Sequence, residues 1–197
     1  DAEYFAALKT YHAALAHRNA LLRGGETGES AYLPFEIQMA EAAAKILSAR
    51  RGILGELGRR ATEKYEILAR ENGESAEIKI RPNCDAESPA ALLKILAEHR
   101  AKDIERRATS HGPHRDDFKI LVGGRDAKTY ASEGQQRSAV IALKLAQYDI
   151  VAAHCGHRPI LLLDDIFDKL DMQRVEQLIG IVSDERFGQI FITDCNK

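Results

Sequence analysis

Several features are scarce in this sequence of 197 residues, and each shortage excludes a class of protein. The 3 cysteines are odd in number and form no C-x-x-C pair, which argues against a disulfide framework and against a zinc site. Apolar runs stay far below the roughly 20 residues that cross a bilayer, and no charged-then-apolar leader opens the chain. We therefore expect a cytoplasmic protein without a membrane partner. The 28 basic side chains do not outnumber the 30 acidic ones, so any contact with nucleic acid has to come from a local basic patch.

Two kinds of periodicity divide the chain near Asn72-Gly73. Before that point, apolar residues at steps of three and four predict helices at 4–22 and 35–70, joined by a glycine turn as a helical arm. Gly52, Gly55 and Gly58 indicate either a very close packing partner or an interruption of the second helix. After that point, apolar strands at 160–164 and 189–193 flank a helix at 171–182, which is typical of a parallel sheet.

The other predicted elements are a strand at 76–81, a helix opened by Ser88-Pro89, strands at 117–122 and 128–130 joined through Gly123-Gly124, and a helix at 134–153. We expect residues 1–73 to form the arm, with the helix at about 88–108 packing on it. We expect residues 74–197 to form a second domain of the α/β class.

A phosphate-cradling loop of the form G-x-x-x-x-G-K-[ST] is absent, yet residues 132–137, SEGQQR, are typical of the signature loop of an ABC-type ATPase. Ser132 and Gln135 have the spacing of a capping box, so the serine can cap the following helix while its first N–H groups point outward. Those donors and the helix dipole favour an anion, and Gly134 allows a phosphate to come close to the backbone. A capped helix without any ligand is the alternative.

The segment 159–171, PILLLDDIFDKLD, is typical of a Walker B strand followed by a D-loop. A buried strand that ends in Asp164-Asp165 puts two carboxylates at the C-terminal edge of a parallel sheet, where α/β folds bind ligands. We expect Asp164 to hold hydrated Mg²⁺ and Asp165 to orient or deprotonate the attacking water. Asp171 is placed to cap the next helix. A solvated strand end and a plain N-cap would explain these residues singly, but the order of the motifs is harder to obtain by chance.

Two further segments leave alternatives open. Residues 110–117 hold two histidines, an arginine and two aspartates around a Gly-Pro turn, in a spacing that favours a turn with a functional arginine over a metal site. A basic stretch is either a solvated helix face or a contact for DNA phosphates, and it consists of Arg100, Lys102, Arg106 and Arg107.

Together, GPHRDDF at 112–118, SEGQQR, ALKLA at 142–146 and PILLLDDIFDKLD resemble the C-terminal half of the RecF family of bacterial DNA replication and repair ATPases. The opening residues resemble the start of that family's helical arm. The resemblance implies an α/β fold: a partial ABC-type ATPase head with an α-helical arm, without the lobe that carries the phosphate loop. It also implies an ATPase related to the SMC proteins that dimerises around ATP, binds DNA at gaps and single-strand/double-strand junctions, and works with RecO and RecR to load a recombinase.

Carried over by position, the resemblance implies that Ser132, Gly134 and Gln135 contact the γ-phosphate of ATP held by the opposite subunit. Glu133 lies in the same nucleotide-binding loop, where the family commonly has glutamine, and it changes the charge near the phosphate. The resemblance makes Asp164 the magnesium residue and Asp165 the catalytic carboxylate. The D-loop, with Asp168 and Asp171, would cross the dimer interface.

Because the phosphate loop is missing, we expect this chain by itself neither to bind ATP tightly nor to hydrolyse it, and to be the C-terminal part of a larger ATPase. One alternative is a non-catalytic protein-interaction module of a repair complex, with the arm as the docking surface. Another is the head of a different SMC-like or transporter-type ATPase, which the short arm and Thr193-Asp194 in place of a histidine disfavour.

Overall fold

A computed structural model describes residues 1–81, 83, 86, 88–167 and 169–193. The helices are α1 (Ala2–Gly24), α2 (Glu29–Leu68), α3 (Pro89–Arg106), α4 (Ala127–Tyr130), α5 (Glu133–Cys155) and α6 (Met172–Val182). The strands are β1 (Ala76–Arg81), β2 (Asp117–Val122), β3 (Arg125–Asp126), β4 (Leu161–Leu163) and β5 (Ile190–Ile192). Two compact units comprise residues 1–53 with 80–117, and residues 54–79 with 118–197. Across the described ranges, no helix has the length and hydropathy to span a membrane.

The first unit is a packing of α1, the first part of α2, and α3. Asp1 caps the start of α1, and Gly25 ends it in the left-handed conformation with φ 74. Ser88 caps α3, its hydroxyl oxygen accepting a hydrogen bond from the Ala91 N–H at 3.2 Å, with Pro89 in the first turn as predicted. The three helices share one apolar core, which includes Tyr11, Met39, Ile46, Leu92 and Leu96. Helix α3 therefore packs on α1 and on the first part of α2.

A buried arginine lies inside this helical packing. Arg18 of α1 is completely buried, with Nε 3.1 Å from the Glu36 carboxylate of α2 and Nη1 2.8 Å from the Asp103 carboxylate of α3. Its Nη1 also donates to the Thr109 hydroxyl at 2.8 Å. Because a charge buried without partners is very costly, these bonds tie the three helices to one mutual arrangement.

Helix α2 runs without interruption through Gly52, Gly55 and Gly58. A Cβ added at Gly52 or Gly55 would meet nothing within 4 Å, whereas one at Gly58 would overlap the carbonyl oxygen of Ile78 in β1. The close packing partner foreseen from the glycines is therefore present at Gly58 alone of the three. The compact units divide inside α2, after Ile53. The domain division near Asn72-Gly73 is a separate statement about the chain and stays a prediction.

The strand predicted at 128–130 is wrong, because these residues belong to the short helix α4. Gly123 and Gly124, with φ 56 and 76, form a two-residue turn, so the chain returns at once as β3. β3 pairs antiparallel with β2, with Val122 opposite Arg125, and completes a three-stranded sheet in the order β1-β2-β3. Asp126 then caps α4 by accepting the Lys128 N–H at 3.0 Å, which ends the strand after two residues.

The second sheet has the parallel pairing that the sequence predicts. β4 and β5 lie parallel, with Leu161 opposite Ile190 and Leu163 opposite Ile192, and α6 lies between them in the chain. Leu161 and Leu163 are buried, in a core that contains parts of α5 and α6, while Leu162 is 70% exposed. One face of β4 therefore packs into the second unit, and the strand ends beside the aspartates at 164 and 165.

Candidate functional site

The turn before α5 has the capping box that the sequence predicts. The Ser132 hydroxyl accepts the Gln135 N–H at 3.2 Å, and the Gln135 side-chain oxygen accepts the Ser132 N–H at 2.9 Å. Ser132 and Glu133 are exposed, so the N-terminus of this 23-residue helix lies at the surface. The helix dipole gives such a surface end a preference for anions.

The segment between β4 and α6 packs against this turn. The carbonyl oxygen of Lys169 would lie only 2.9 Å from a Cβ on Gly134, so a side chain at 134 would force the two backbones apart. The Lys169 ammonium lies 3.4 Å from the Glu133 carboxylate and offsets its charge. Gly134 thus has a packing reason to be glycine, beside the phosphate approach expected from the sequence. Asp168, which belongs to the predicted D-loop, lies outside the described residues.

The two aspartates after β4 share a partner on the neighbouring strand end. The Thr193 hydroxyl, just after β5, donates to the Asp164 carboxylate and accepts the Asp165 N–H at 3.1 Å. Asp164 is exposed, and Asp165 has a left-handed backbone with φ 48. From the sequence, Thr193 was notable only for standing where transporter-type ATPases have a histidine. Its position at the end of a predicted strand could have indicated this contact, because parallel strands bring their C-terminal ends to one edge of a sheet.

Arg137, inside the SEGQQR motif, links α5 to the same strand end. Its Nη2 donates to the Asp165 carbonyl oxygen, while its buried Nε has no hydrogen-bond partner among the residues that the structure describes. The arginine therefore connects the helix of the predicted signature motif with the backbone of the predicted catalytic aspartate.

Asp171 caps α6, as its position predicts. One carboxylate oxygen accepts the Arg174 N–H at 2.8 Å, and the other accepts Arg174 Nε at 3.0 Å. Partial burial acts to raise the pKa of Asp171, but the hydrogen bonds from Arg174 outweigh it and lower that pKa. Asp171 is therefore a carboxylate at neutral pH, and its contact with nucleotide stays a prediction.

Arg174 is a residue that sequence reasoning missed. It is 4% exposed, and its Nη1 and Nη2 donate to Ser138 Oγ of α5 and to the Glu74 carboxylate, each at 2.8 Å. The Tyr65 hydroxyl of α2 also donates to Glu74, at 2.9 Å. Burial acts to raise the pKa of Glu74, but bonds from Arg174, Tyr65 and the Gln135 side chain lower it. Burial and the Glu74 charge raise the pKa of Tyr65 to about 12.

Residues 110–116 form a packed turn in the first unit, and Asp117 begins β2. Gly112 has φ 134, and a Cβ there would overlap the Tyr11 hydroxyl, which lies 2.7 Å from Nδ1 of His114. Burial lowers the pKa of His114. Arg115 donates to the Thr109 carbonyl oxygen at 3.2 and 3.3 Å. Within the described part of the chain, no group of three or more metal-ligating side chains comes together.

Helix α3 separates the four predicted DNA contacts into two kinds. Lys102, Arg106 and Arg107 are exposed, with Arg107 at the helix C-cap. Arg100 is only 12% exposed and lies 2.7 Å from Glu36 and 2.8 Å from Glu29. Its guanidinium is engaged inside the first unit, whereas the other three basic side chains lie at the surface; contact with DNA stays a prediction for all four.

The fold, rich in helix and with small sheets, matches part of solved structures of RecF, which is an ABC-type ATPase. The chain is similar, over its full length, to two solved structures of RecF in the RecFOR pathway, one described as RecF-ATP and one as RecF-ATPrS. Both have a TM-score of 0.81, with 30% and 29% identity, and the chain covers 54% of each.

Curated relatives named DNA replication and repair protein RecF give the same result. The proteins of Bacteroides fragilis and Phocaeicola vulgatus are 36% and 39% identical over 198 and 202 aligned residues, covering 100% of this chain. That of Myxococcus xanthus is 37% identical and covers 94%. The chain spans about half the length of these relatives, 51 to 53%. No family model matches it. The chain is thus a relative of the RecF proteins and matches their C-terminal portion.

Proposed function

We propose that this chain is the signature-bearing portion of a RecF-type ATPase, an ATP-dependent dimerising switch in DNA replication and recombinational repair. The observation that carries the proposal is a juxtaposition in the second unit. The capped turn at 132–135 packs against the segment that follows Asp164-Asp165. A helix N-terminus suited to an anion and two carboxylates therefore lie at neighbouring positions in the same unit. One solved structure that this fold resembles is described as RecF-ATP.

In this proposal Ser132, Gly134 and Gln135 contact the γ-phosphate of ATP held by a second subunit. The exposed helix end supplies backbone N–H donors and a positive dipole. Lys169 compensates the negative charge that Glu133 would otherwise bring near a phosphate. The D-loop, including Asp171, would meet the partner subunit at the same interface.

The carboxylate pair fits magnesium and general-base chemistry. Asp164 presents an exposed oxygen donor, and the Thr193 hydroxyl orients it. Mg²⁺, when bound, neutralises charge on the phosphates. Asp165 would orient or deprotonate the attacking water, while Arg137 and Thr193 hold its backbone from either side.

A Ser132→Arg substitution in the complete ATPase tests the proposal. A long cation in the capped turn should abolish ATP-dependent dimerisation, followed by light scattering, while each subunit still binds ATP through its own phosphate loop. Ser183→Arg, an exposed serine at the C-cap of α6, is the matched control and should dimerise normally. Normal dimerisation and hydrolysis by the Ser132 variant would overturn the proposal.

Contact with DNA is assigned to the exposed residues Lys102, Arg106 and Arg107, and association with RecR and RecO to the arm. Replacing Arg106 and Arg107 by Gln should weaken binding to junction DNA and flatten its salt dependence, since each phosphate contact adds to the salt slope. Lys94→Gln, an exposed lysine in the first half of α3, is the control. Partner association without any DNA binding would favour the interaction module instead.

A further inference from the structure

We infer that Arg174 is a positioning residue for the candidate ATP site, one that holds the predicted signature turn and the D-loop cap in register with the end of α2. The inference rests on the proposed function. It is carried by hydrogen bonds from one buried side chain to three separate segments of the second unit.

Each nitrogen of the Arg174 guanidinium has its own acceptor. Nε donates to Asp171 at the end of the predicted D-loop, Nη1 to Ser138 in the second turn of α5, and Nη2 to Glu74 after α2. All three distances lie between 2.8 and 3.0 Å. A planar guanidinium can satisfy three acceptors in fixed directions, whereas a lysine ammonium at this place is a single point charge. The site therefore has a specific requirement for arginine.

From Ser138 the connection continues to the predicted phosphate-binding turn. Its hydroxyl donates to the Gly134 carbonyl oxygen at 2.8 Å, so its proton is used there and its lone pair accepts from Arg174. Gly134 in turn packs against the Lys169 carbonyl. The direction of the Gly134 peptide is thus fixed from two sides, by the helix and by the D-loop.

The other end of the connection lies on α2. Glu74 accepts from both Arg174 and the Tyr65 hydroxyl, and the Gln135 side chain helps to lower its pKa. A change at the C-terminal end of α2 would therefore reach the capped turn through Glu74 and Arg174, by way of Ser138. A movement of the C-terminal end of α2 would therefore change the positions of the backbone N–H groups in the turn at 132–135, which are the predicted phosphate donors.

The test uses the complete ATPase with Arg174→Gln and Arg174→Lys. In the proposal, the lobe that carries the phosphate loop binds the nucleotide. The ATP affinity of the monomer should therefore stay within about threefold of wild type. The protein concentration for half-dimerisation should rise about tenfold or more, and kcat should fall by a similar factor. Lysine should rescue only part of the loss. Arg186→Gln, whose side chain is 67% exposed and pairs with the nearby Asp184, is the matched control and should leave all three quantities unchanged.

Ser138→Ala keeps the inference testable if Arg174→Gln does not fold. This buried substitution removes one hydroxyl and almost no volume, and it should raise the half-dimerisation concentration several-fold with unchanged ATP affinity. If wild type itself does not pair with ATP, the proposed function fails. If wild type pairs and both Ser138→Ala and Arg174→Gln behave like it, the positioning role is wrong while the proposed function stands.

Discussion

Each compact unit contains a buried arginine with ionic partners, Arg18 in the first and Arg174 in the second, and the two side chains connect different kinds of segment. Arg18 joins α1, α2 and α3 through Glu36 and Asp103, none of which belongs to a predicted motif. Arg174 joins segments that all border the candidate ATP site. Similar buried ionic chemistry thus serves helix packing in the first unit and, in our inference, site geometry in the second. Changes in the first should therefore be visible as stability, and changes in the second as function.

The largest effect is expected from Arg18→Met, which removes the cation of the buried Asp103 and leaves Glu36 with Arg100 alone. Removing one member of such a buried network should lower the free energy of unfolding by about 3–5 kcal/mol. Urea denaturation followed by circular dichroism measures it. Arg51→Met, at an exposed position of α2 in the same unit, should change stability by less than about 0.5 kcal/mol. Equal stability of the two variants would contradict a packing role for Arg18.

The second prediction compares two glycines of α2 that both lie in the second unit. Gly58→Ala should lower the free energy of unfolding by about 1–3 kcal/mol, because the new methyl group overlaps the Ile78 carbonyl oxygen. Gly55→Ala, which meets open space, should instead raise it by about 0.5–1 kcal/mol through helix propensity. Thermal denaturation of the two single variants gives both signs. A stabilised Gly58→Ala protein would show that β1 does not pack closely on this helix.

Much of the fold could be predicted because its signals are local. Ser88-Pro89 and the Ser132-Gln135 pair mark helix starts within four residues, and both caps form. The strand at 128–130 was mispredicted because the glycine turn is tighter than assumed and Asp126 caps a helix at once. Which of the α2 glycines faces a close partner depends on β1, and helical periodicity carries no information about that contact.

The candidate site divides in the same way. Asp164, Asp165 and the turn at 132–135 belong to contiguous motifs, so their types and spacing could be recognised. Glu74 and Arg174 are 100 residues apart in the chain, and nothing local to either one indicates the other. In the sequence, Asp171 and Arg174 have the i, i+3 spacing of an ordinary ion pair within one helical turn. The additional bonds of Arg174 to Ser138 and Glu74 depend on the fold.

The smallest expected effect is a difference in acid sensitivity between the units. Burial lowers the pKa of His114, and burial together with the His99 ring lowers that of His111, in each case below the ordinary value of 6.5. The unfolded chain then binds more protons than the folded one, so this stability is complete above pH 6.5 and is lost as pH falls from there toward the folded values. In the second unit, the lowered pKa of Glu74 makes the corresponding loss begin only below its ordinary value of 4.5.

Amide hydrogen exchange between pH 7 and pH 5 resolves this difference, once corrected for intrinsic exchange rates. Protection in α1 and α3 should decline across this range while protection in α5 and α6 holds. His114→Gln should remove part of the decline because glutamine does not titrate, and it keeps a polar group near the Tyr11 hydroxyl. His157→Gln, at an exposed position, should leave it unchanged. A parallel decline in both units would mean that the buried histidines do not set the acid sensitivity of the first, and the contrast between the two units would then rest on their buried arginines alone.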